Sequence, residues 1–201
     1  MAKIKLTKNE LKKQKDSLKM YQRYLPTLML KKQQLQAEIR VTDARIGELK
    51  GERSHVDAVL NLWIAVFGEK GVFTPEIVKI SQVKTAEGNV AGVAIPLFVG
   101  AEFETFPYDL SRTPLWLDTA VEKVKQILIL ELETRVLEEQ RRRLDRELRI
   151  TTQRVNLFEK VKIPETSDNI RKIQVYLGDQ QTAAVVRGKI AKRGLAKVGG
   201  A

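Results

Sequence analysis

Between Ile4 and Phe67 apolar residues return at alternating steps of three and four. One set runs Ile4, Leu11, Leu18, Leu25, Lys32, Ile39, Ile46, Arg53, Leu60 and Phe67; the other runs Thr7, Gln14, Tyr21, Leu28, Leu35, Thr42, Leu49, Val56 and Trp63. Fourteen of these nineteen positions are apolar or aromatic, so one narrow stripe stays turned toward a partner helix, which is the mark of a coiled-coil seam. At 1.5 Å per residue such a helix is roughly 95 Å long. Pro26 lies inside it. Proline deletes one backbone hydrogen bond and kinks or ends most helices, but the heptad phase is the same on both sides, which predicts a kinked continuous helix.

The C-terminal third repeats the pattern in two phases. Ile127, Leu130, Leu137, Leu144, Leu148, Val155 and Phe158 share one seam, with Thr134, Arg141 and Thr151 as its polar members. Ile163, Ile170, Ile173, Leu177, Ala184 and Ala191 fit a shifted one, and the shift falls at Pro164, where a bend and a change of phase are expected. The last turns become small, with Ala183, Ala184, Ala191 and Ala196 in place of leucines. Two readings stay open for them: a closer approach of the two helices, or a fit inside a narrow sleeve.

Residues 68–114 differ in kind, with Gly68, Gly71, Gly88, Gly92 and Gly100 and four of the six prolines, Pro75, Pro96, Pro107 and Pro114. A β-rich run from Ile77 to Thr85 leads to a turn signal at Ala86-Glu87-Gly88-Asn89. Val93, Ile95, Leu97 and Val99 then alternate at period two, with Pro96 on the other face, as suits an edge strand. Thr113-Pro114 opens the second long helix. The expected architecture is mainly α: residues 1–67 and 115–198 form a long antiparallel two-helix coiled coil, 68–114 a small β-hairpin insert at its bend, and 199–201 a frayed tail. Its seam is expected on Leu11, Leu18, Leu25, Leu28, Leu35, Ile39, Ile46, Leu49, Val56 and Trp63 of the first helix. Opposite them stand Ile127, Leu137, Leu144, Leu148, Val155, Phe158, Ile170, Ile173 and Leu177. This order brings the two termini together and sets Trp63 near Trp116.

Composition sharpens the functional classes. Charged residues make up 30 % and aromatics 6 % of 201 residues, the balance of an elongated helical protein with much surface to wet. There is no cysteine, hence no disulfide framework and no thiolate metal site. No apolar run spans a bilayer and no secretory signal is legible. The net charge of +11 invites a nucleic-acid reading, but the excess sits at the two ends. Residues 1–32 carry ten Lys/Arg against Glu10 and Asp16, and residues 171–201 carry seven against Asp179.

Catalytic chemistry finds no footing. His55 is the only histidine and falls between seam positions, so it reads as solvated; no Cys/His/Asp cluster has ligand spacing. Gly188-Lys189 lacks the Ser/Thr and leading glycine of a phosphate loop. Glu138-Glu139-Gln140-Arg141-Arg142-Arg143 reads as a solvated, i,i+4-paired helix face, or as a docking patch. Tyr21, Trp63 and Trp116 read as seam packing. Too few aromatics accompany the terminal lysines for base stacking, leaving phosphate contact or placement within an acidic protein cavity as the roles of the basic ends.

Three segments resemble the D subunit of the V/A-type (vacuolar or archaeal type) rotary ATPases. Leu25-Pro26-Thr27-Leu28-Met29-Leu30-Lys31-Lys32-Gln33-Gln34-Leu35 is similar to the family's leucine-lysine stretch, and Asn89-Val90-Ala91-Gly92-Val93-Ala94-Ile95-Pro96 to its hairpin strand. Thr151-Thr152-Gln153-Arg154-Val155-Asn156-Leu157-Phe158-Glu159-Lys160-Val161-Lys162-Ile163-Pro164 carries the strongest signature, Arg-Val-Asn-x-Φ-Glu followed by Ile-Pro. With the hairpin order the likeness covers nearly the whole chain. It departs from the pattern after Leu177 and at Pro26, and resembles the short bacterial branch. The resemblance implies a non-catalytic central-stalk rotor component, cytoplasmic and peripheral to the membrane, with no cofactor. It implies both termini inside a hexamer of catalytic A and B subunits, a lower part bound to the F subunit, and torque passed through a funnel-shaped subunit to the ion-carrying membrane ring. Contacts with the hexamer bore or mouth are expected at Arg154, Glu159, Lys162, Arg187, Lys189, Lys192 and Arg193, with no nucleic-acid partner and no direct membrane insertion. The alternative class is a basic coiled-coil nucleic-acid-binding or scaffold protein.

Overall fold

The computed structural model describes residues 4–67, 77–105 and 116–198, and only the backbone of 62–67, 105 and 194–198. Helix α1 spans Lys8–Phe67. Strands β1 (Val78–Val90) and β2 (Val93–Thr105) follow, then α2 (Trp116–Asn156), a π-helical turn (Leu157–Lys162) and α3 (Ile163–Val198). The expectations for Gly68, Gly71, Pro75, Pro107, Thr113-Pro114, the 199–201 tail and the side chains of Trp63 and Ala196 lie outside the described residues.

Thr7 caps α1: its hydroxyl accepts from the Glu10 N–H at 3.3 Å, and its carbonyl from the Leu11 N–H at 3.0 Å. The helix then runs unbroken through Pro26. Pro26 is exposed, so the carbonyl it leaves without a donor can turn to water rather than be orphaned in a core.

The chain divides into two compact units, a terminal one of Met1–Leu30 with Thr151–Ala201 and a middle one of Lys31–Ile150. In the middle unit α1 and α2 pair antiparallel, as the ion pairs record. Lys31 meets Glu147 at 2.7 Å, Arg45 meets Glu133 at 3.1 Å and Lys50 meets Glu138 at 2.9 Å, while Asp43 pairs with Arg141 and Arg53 with Glu131. Along each flank of the coil, numbers rise on one helix as they fall on the other: 31–147 then 45–133, and 43–141, 50–138 then 53–131. Between the pairs lie Leu49, Val56 and Leu130, flanked by Leu60, Ile127 and Leu137. Each exposed pair contributes only ~0–1 kcal/mol. Burial of the leucines supplies the larger share, at roughly 1.5–3 kcal/mol for each side chain fully covered.

The hairpin does not merely close the bend; it lies back along the coil. At its base Ile77 and Val78 pack with Leu117 and Val121, and Trp116 joins them. At its far end Ile95 is buried with Leu35 and Leu144, and Val90, Ala91 and Val93 close over them with Ile39 and Leu148. The turn itself corrects the reading of Ala86–Asn89, which lie within β1. It is Ala91-Gly92, with φ of 50° and 80°, between the paired Val90 and Val93. Two positive φ angles define the hairpin turn whose twist matches its strands, and the Asn89 side chain accepts from the Gly92 N–H at 3.0 Å. Bulges between Ile80 and Gln82 and between Lys84 and Thr85 interrupt the ladder and break the period-two alternation. Ile95 is buried with Leu35 and Leu144, while Leu97 and Val99 further along β2 are 40 % and 65 % exposed.

In the terminal unit Thr151, Val155, Thr166, Asn169 and Ile173 are buried, and Leu11, Leu18, Leu25 and Leu28 of α1 are half-buried. The Tyr21 and Phe158 rings meet at 5.1 Å between centroids, which gives one point of register between α1 and the π turn. The phase change expected at Pro164 takes the form of the π turn, in which the Ile163 N–H donates to the Phe158 carbonyl five residues back. Proline cannot donate to the preceding turn and crowds it; widening that turn accommodates both defects. Thr166 adds a hydroxyl bond to the Lys162 carbonyl.

Candidate interaction surfaces

The acid–arginine block 138–143 is engaged within the middle unit. Glu138 pairs with Lys50 and Arg141 with Asp43, while Glu139 accepts from Arg142 at 2.7 and 2.9 Å and from Arg143 at 2.9 Å. Arg141, read from the repeat as a seam member, is exposed, and Gln140 is buried in its place. The hairpin is the cause: the Gln140 amide donates to the Pro96 carbonyl and Arg143 to the Ala94 carbonyl at 3.3 Å, so α2 covers the outer edge of β2. Sequence periodicity carries no sign of this, because the covering strand comes from elsewhere in the chain.

The Arg142 and Arg143 guanidiniums hold the Glu139 carboxyl down to about 2 from 4.5. A carboxyl whose folded-state value is depressed contributes stability above its unfolded value, and loses it as pH falls toward the folded one. Wild type and Glu139→Gln should therefore differ in chemical unfolding by a constant amount above pH 4.5. That difference should shrink as the pH falls from 4.5 toward 2. A gap that keeps its neutral-pH size down to pH 2 refutes the link.

The terminal unit has a different electrostatic character. It holds eighteen Lys/Arg against six Asp/Glu, where the middle unit holds eighteen against nineteen. Most cations of the middle unit's coil sit in ion pairs, but in the terminal unit Lys162 with Glu165 at 3.3 Å is the one pair among the described residues. Arg154 is exposed on the last turn of α2, Glu159 is exposed in the π turn, and Lys162 is half-buried. Arg187, Lys189, Lys192 and Arg193 are exposed on α3. Residues 178–193 are exposed throughout, with Val185, Val186 and Ile190 at 58 %, 49 % and 64 %. Ala183, Ala184 and Ala191 are thus not drawn into a closer helix pair, and that alternative is set aside; these small side chains present an open face.

The seam side chains fall into two grades. Leu35, Ile46, Leu49, Val56, Leu144, Val155 and Ile173 are buried, while Leu11, Leu18, Leu25, Leu28, Ile39, Ile127, Leu137, Leu148, Phe158, Ile170 and Leu177 are half-buried. Periodicity overlooked the buried polar Thr166 and Asn169, which lie beyond the π turn. His55 is exposed. Among the described residues there is no group of three or more His, Cys, Asp or Glu placed to hold a metal ion, and no helix long and apolar enough to cross a membrane.

The family model for the D subunit of ATP synthase matches residues 10–193. The V-type ATP synthase D subunit of Borreliella burgdorferi is 51 % identical over 197 residues, 98 % of this chain and 97 % of that one. Those of Chlamydia pneumoniae and Chlamydia muridarum are 36 % and 33 % identical. Each covers 94 % of this chain, which spans 92 % and 95 % of theirs.

Proposed function

The chain belongs to the family of ATP synthase D subunits, and we propose that it is the non-catalytic central-stalk rotor of a V-type ATP synthase. On this reading it carries torque between nucleotide chemistry in a hexamer of A and B subunits and ion movement through a membrane ring. The terminal unit lies inside the hexamer; the middle unit binds the F subunit and reaches the ring through the funnel-shaped one. The protein is cytoplasmic and peripheral, held to the membrane by its partners.

One observation carries the placement. The terminal unit gathers an excess of cations without internal partners, and its α3 extends as an exposed basic helix over residues 178–193. A surface of that kind suits an acid-lined protein cavity, since complementary charge guides entry without locking it. Exposed ion pairs are individually weak, ~0–1 kcal/mol, and exchange readily as a rotor turns. Arg154, Glu159 and Lys162 are then contacts near the mouth of the hexamer, and Arg187, Lys189, Lys192 and Arg193 contacts in its bore. The π turn beside the mouth contacts gives that segment its local geometry.

The test is a truncation lacking residues 171–201, assembled with the A and B subunits. Hydrolysis by the hexamer should persist while rotation of a bead on the stalk, or ion pumping in the complete complex, becomes uncoupled from it. Coupling equal to wild type would refute the placement.

A further inference from the structure

In both units each seam residue has a neighbour on either side, rotated about 100° along the helix, and these neighbours form the two flanks of the coil. The middle unit shows how flanks match. Asp43 and Lys50, each directly after a seam residue, pair with Arg141 and Glu138, each directly after the seam residues Gln140 and Leu137. Lys31 and Arg45, each directly before one, pair with Glu147 and Glu133, which likewise precede Leu148 and Thr134. Residues following the seam thus share one flank, and residues preceding it share the other.

The same rule in the terminal unit places its net positive charge on one side. Lys8, Lys12, Lys15 and Lys19 directly follow Thr7, Leu11, Gln14 and Leu18. They stand at i, i+4, i+7 and i+11, all exposed, and none makes an ion pair among the described residues. With Tyr21 against Phe158 setting the register, the same flank of the opposite helices carries Glu159 near the level of Lys19, followed by Ile163, Ser167, Ile170 and Gln174. One acid stands against four lysines. The other flank carries Met20 and Tyr24 with Leu157 and Val161, 44–53 % exposed, together with Glu10, Lys13, Arg154, Glu165, Asp168 and Lys172, three acids against three bases. Like charges at i,i+4 disfavour a helix, and Asp16, four residues after Lys12 and three before Lys19, is the one anion on α1 beside the stripe, so the excess of lysines suits an external acidic counterpart.

We infer that Lys8, Lys12, Lys15 and Lys19 form a one-sided docking stripe for an acidic protein surface in the assembly, giving the terminal unit a preferred angular orientation within it. The inference rests on the rotor reading above. A protein surface fits better than a nucleic acid, because no exposed aromatic interleaves the four lysines to stack a base.

Four full-length forms would be titrated against the reconstituted A/B hexamer at low and high salt: wild type, Lys→Gln at the four stripe positions, Lys→Arg at the same four, and a control with Lys13, Arg23, Arg171 and Lys172 changed to Gln. Stripe neutralisation should weaken binding at low salt on the order of tenfold or more and flatten its salt dependence, while the Arg form binds as wild type. The control, with the same change in net charge, should lose about threefold or less. Equal losses in the two Gln forms, unchanged binding by the stripe variant, or failure of the Arg form to restore binding overturns the stripe. A stripe variant that loses binding to duplex DNA but keeps the hexamer also overturns it. Wild type that fails to bind the hexamer at all sinks the rotor reading, and the stripe with it.

Discussion

Leu144→Ala will lower the unfolding free energy by about 2–5 kcal/mol, among the largest effects open to a single side chain here. Leu144 has no solvent exposure and sits in one layer with Leu35 and Ile95, closed over by Val90, Ala91 and Val93 of the hairpin. Truncation removes its transfer free energy and leaves a cavity walled by three chain segments, of which two are held by long helices and cannot collapse into it. Urea unfolding followed by circular dichroism reads the change directly. Leu157→Ala, at a side chain 44 % exposed, should stay within about 0.5 kcal/mol. Because Ile95 shares the layer, Ile95→Ala and Leu144→Ala should be less than additive when combined. A loss below about 1 kcal/mol for Leu144→Ala, or strict additivity with Ile95→Ala, would show that the hairpin does not seal this layer.

The second large effect concerns where one residue can be removed. From Thr151 one line of covered positions runs 151, 155, 158, 162, 166, 169, 173 and 177, with half-buried Thr152, Ile163 and Ile170 beside it. A strict alternation of four and three reaches 176 in the same number of steps, so one residue is surplus, and the π turn Leu157–Lys162 contains it. Deleting exposed Val161, with Pro164→Ala to restore the missing donor, should turn this segment into ordinary α-helix with both halves of the seam still facing α1. Stability should stay within about 1 kcal/mol of wild type. Deleting exposed Ser167 instead turns Asn169, Ile173 and Leu177 by about 100° off the seam. Uncovering Ile173 and Leu177 should cost about 3 kcal/mol or more. Thermal unfolding of the two deletions tells them apart, and equal tolerance of both would mean that the π turn is not what absorbs the surplus residue.

Much of this architecture is legible from spacing alone, for a physical reason that also marks the limit. A seven-residue repeat reports which face of a helix is apolar, so the stripe through Leu35, Leu49, Leu144 and Val155 is readable without any knowledge of contacts. It cannot report that a strand returns over one face. Arg141 therefore reads as a seam residue, while Gln140, which donates to Pro96, lies in its place. The turn is displaced for a related reason. Ala86-Glu87-Gly88-Asn89 has turn-forming composition, but the ladder from Val78 to Thr105 pairs those residues with Ala94, Ile95, Pro96 and Leu97, and Gly92 supplies the positive φ further on. The basic ends are visible in composition; their lack of internal partners is not, because pairing depends on which residues stand across the seam.

By itself, then, the amino-acid order determined two long amphipathic helices, a β-rich interruption between them, their antiparallel return and the accumulation of positive charge at the two ends. Those properties are local or additive: periodicity, turn chemistry and charge are carried by neighbours along the chain. Only the tertiary structure decided that the hairpin lies along the coil, that Gln140 rather than Arg141 is covered, that a π turn absorbs the extra residue before Pro164, and that residues 178–193 stay open. Each of these depends on which distant segment reaches a given face first, and burial, being a property of pairs of surfaces, is not written in either segment alone.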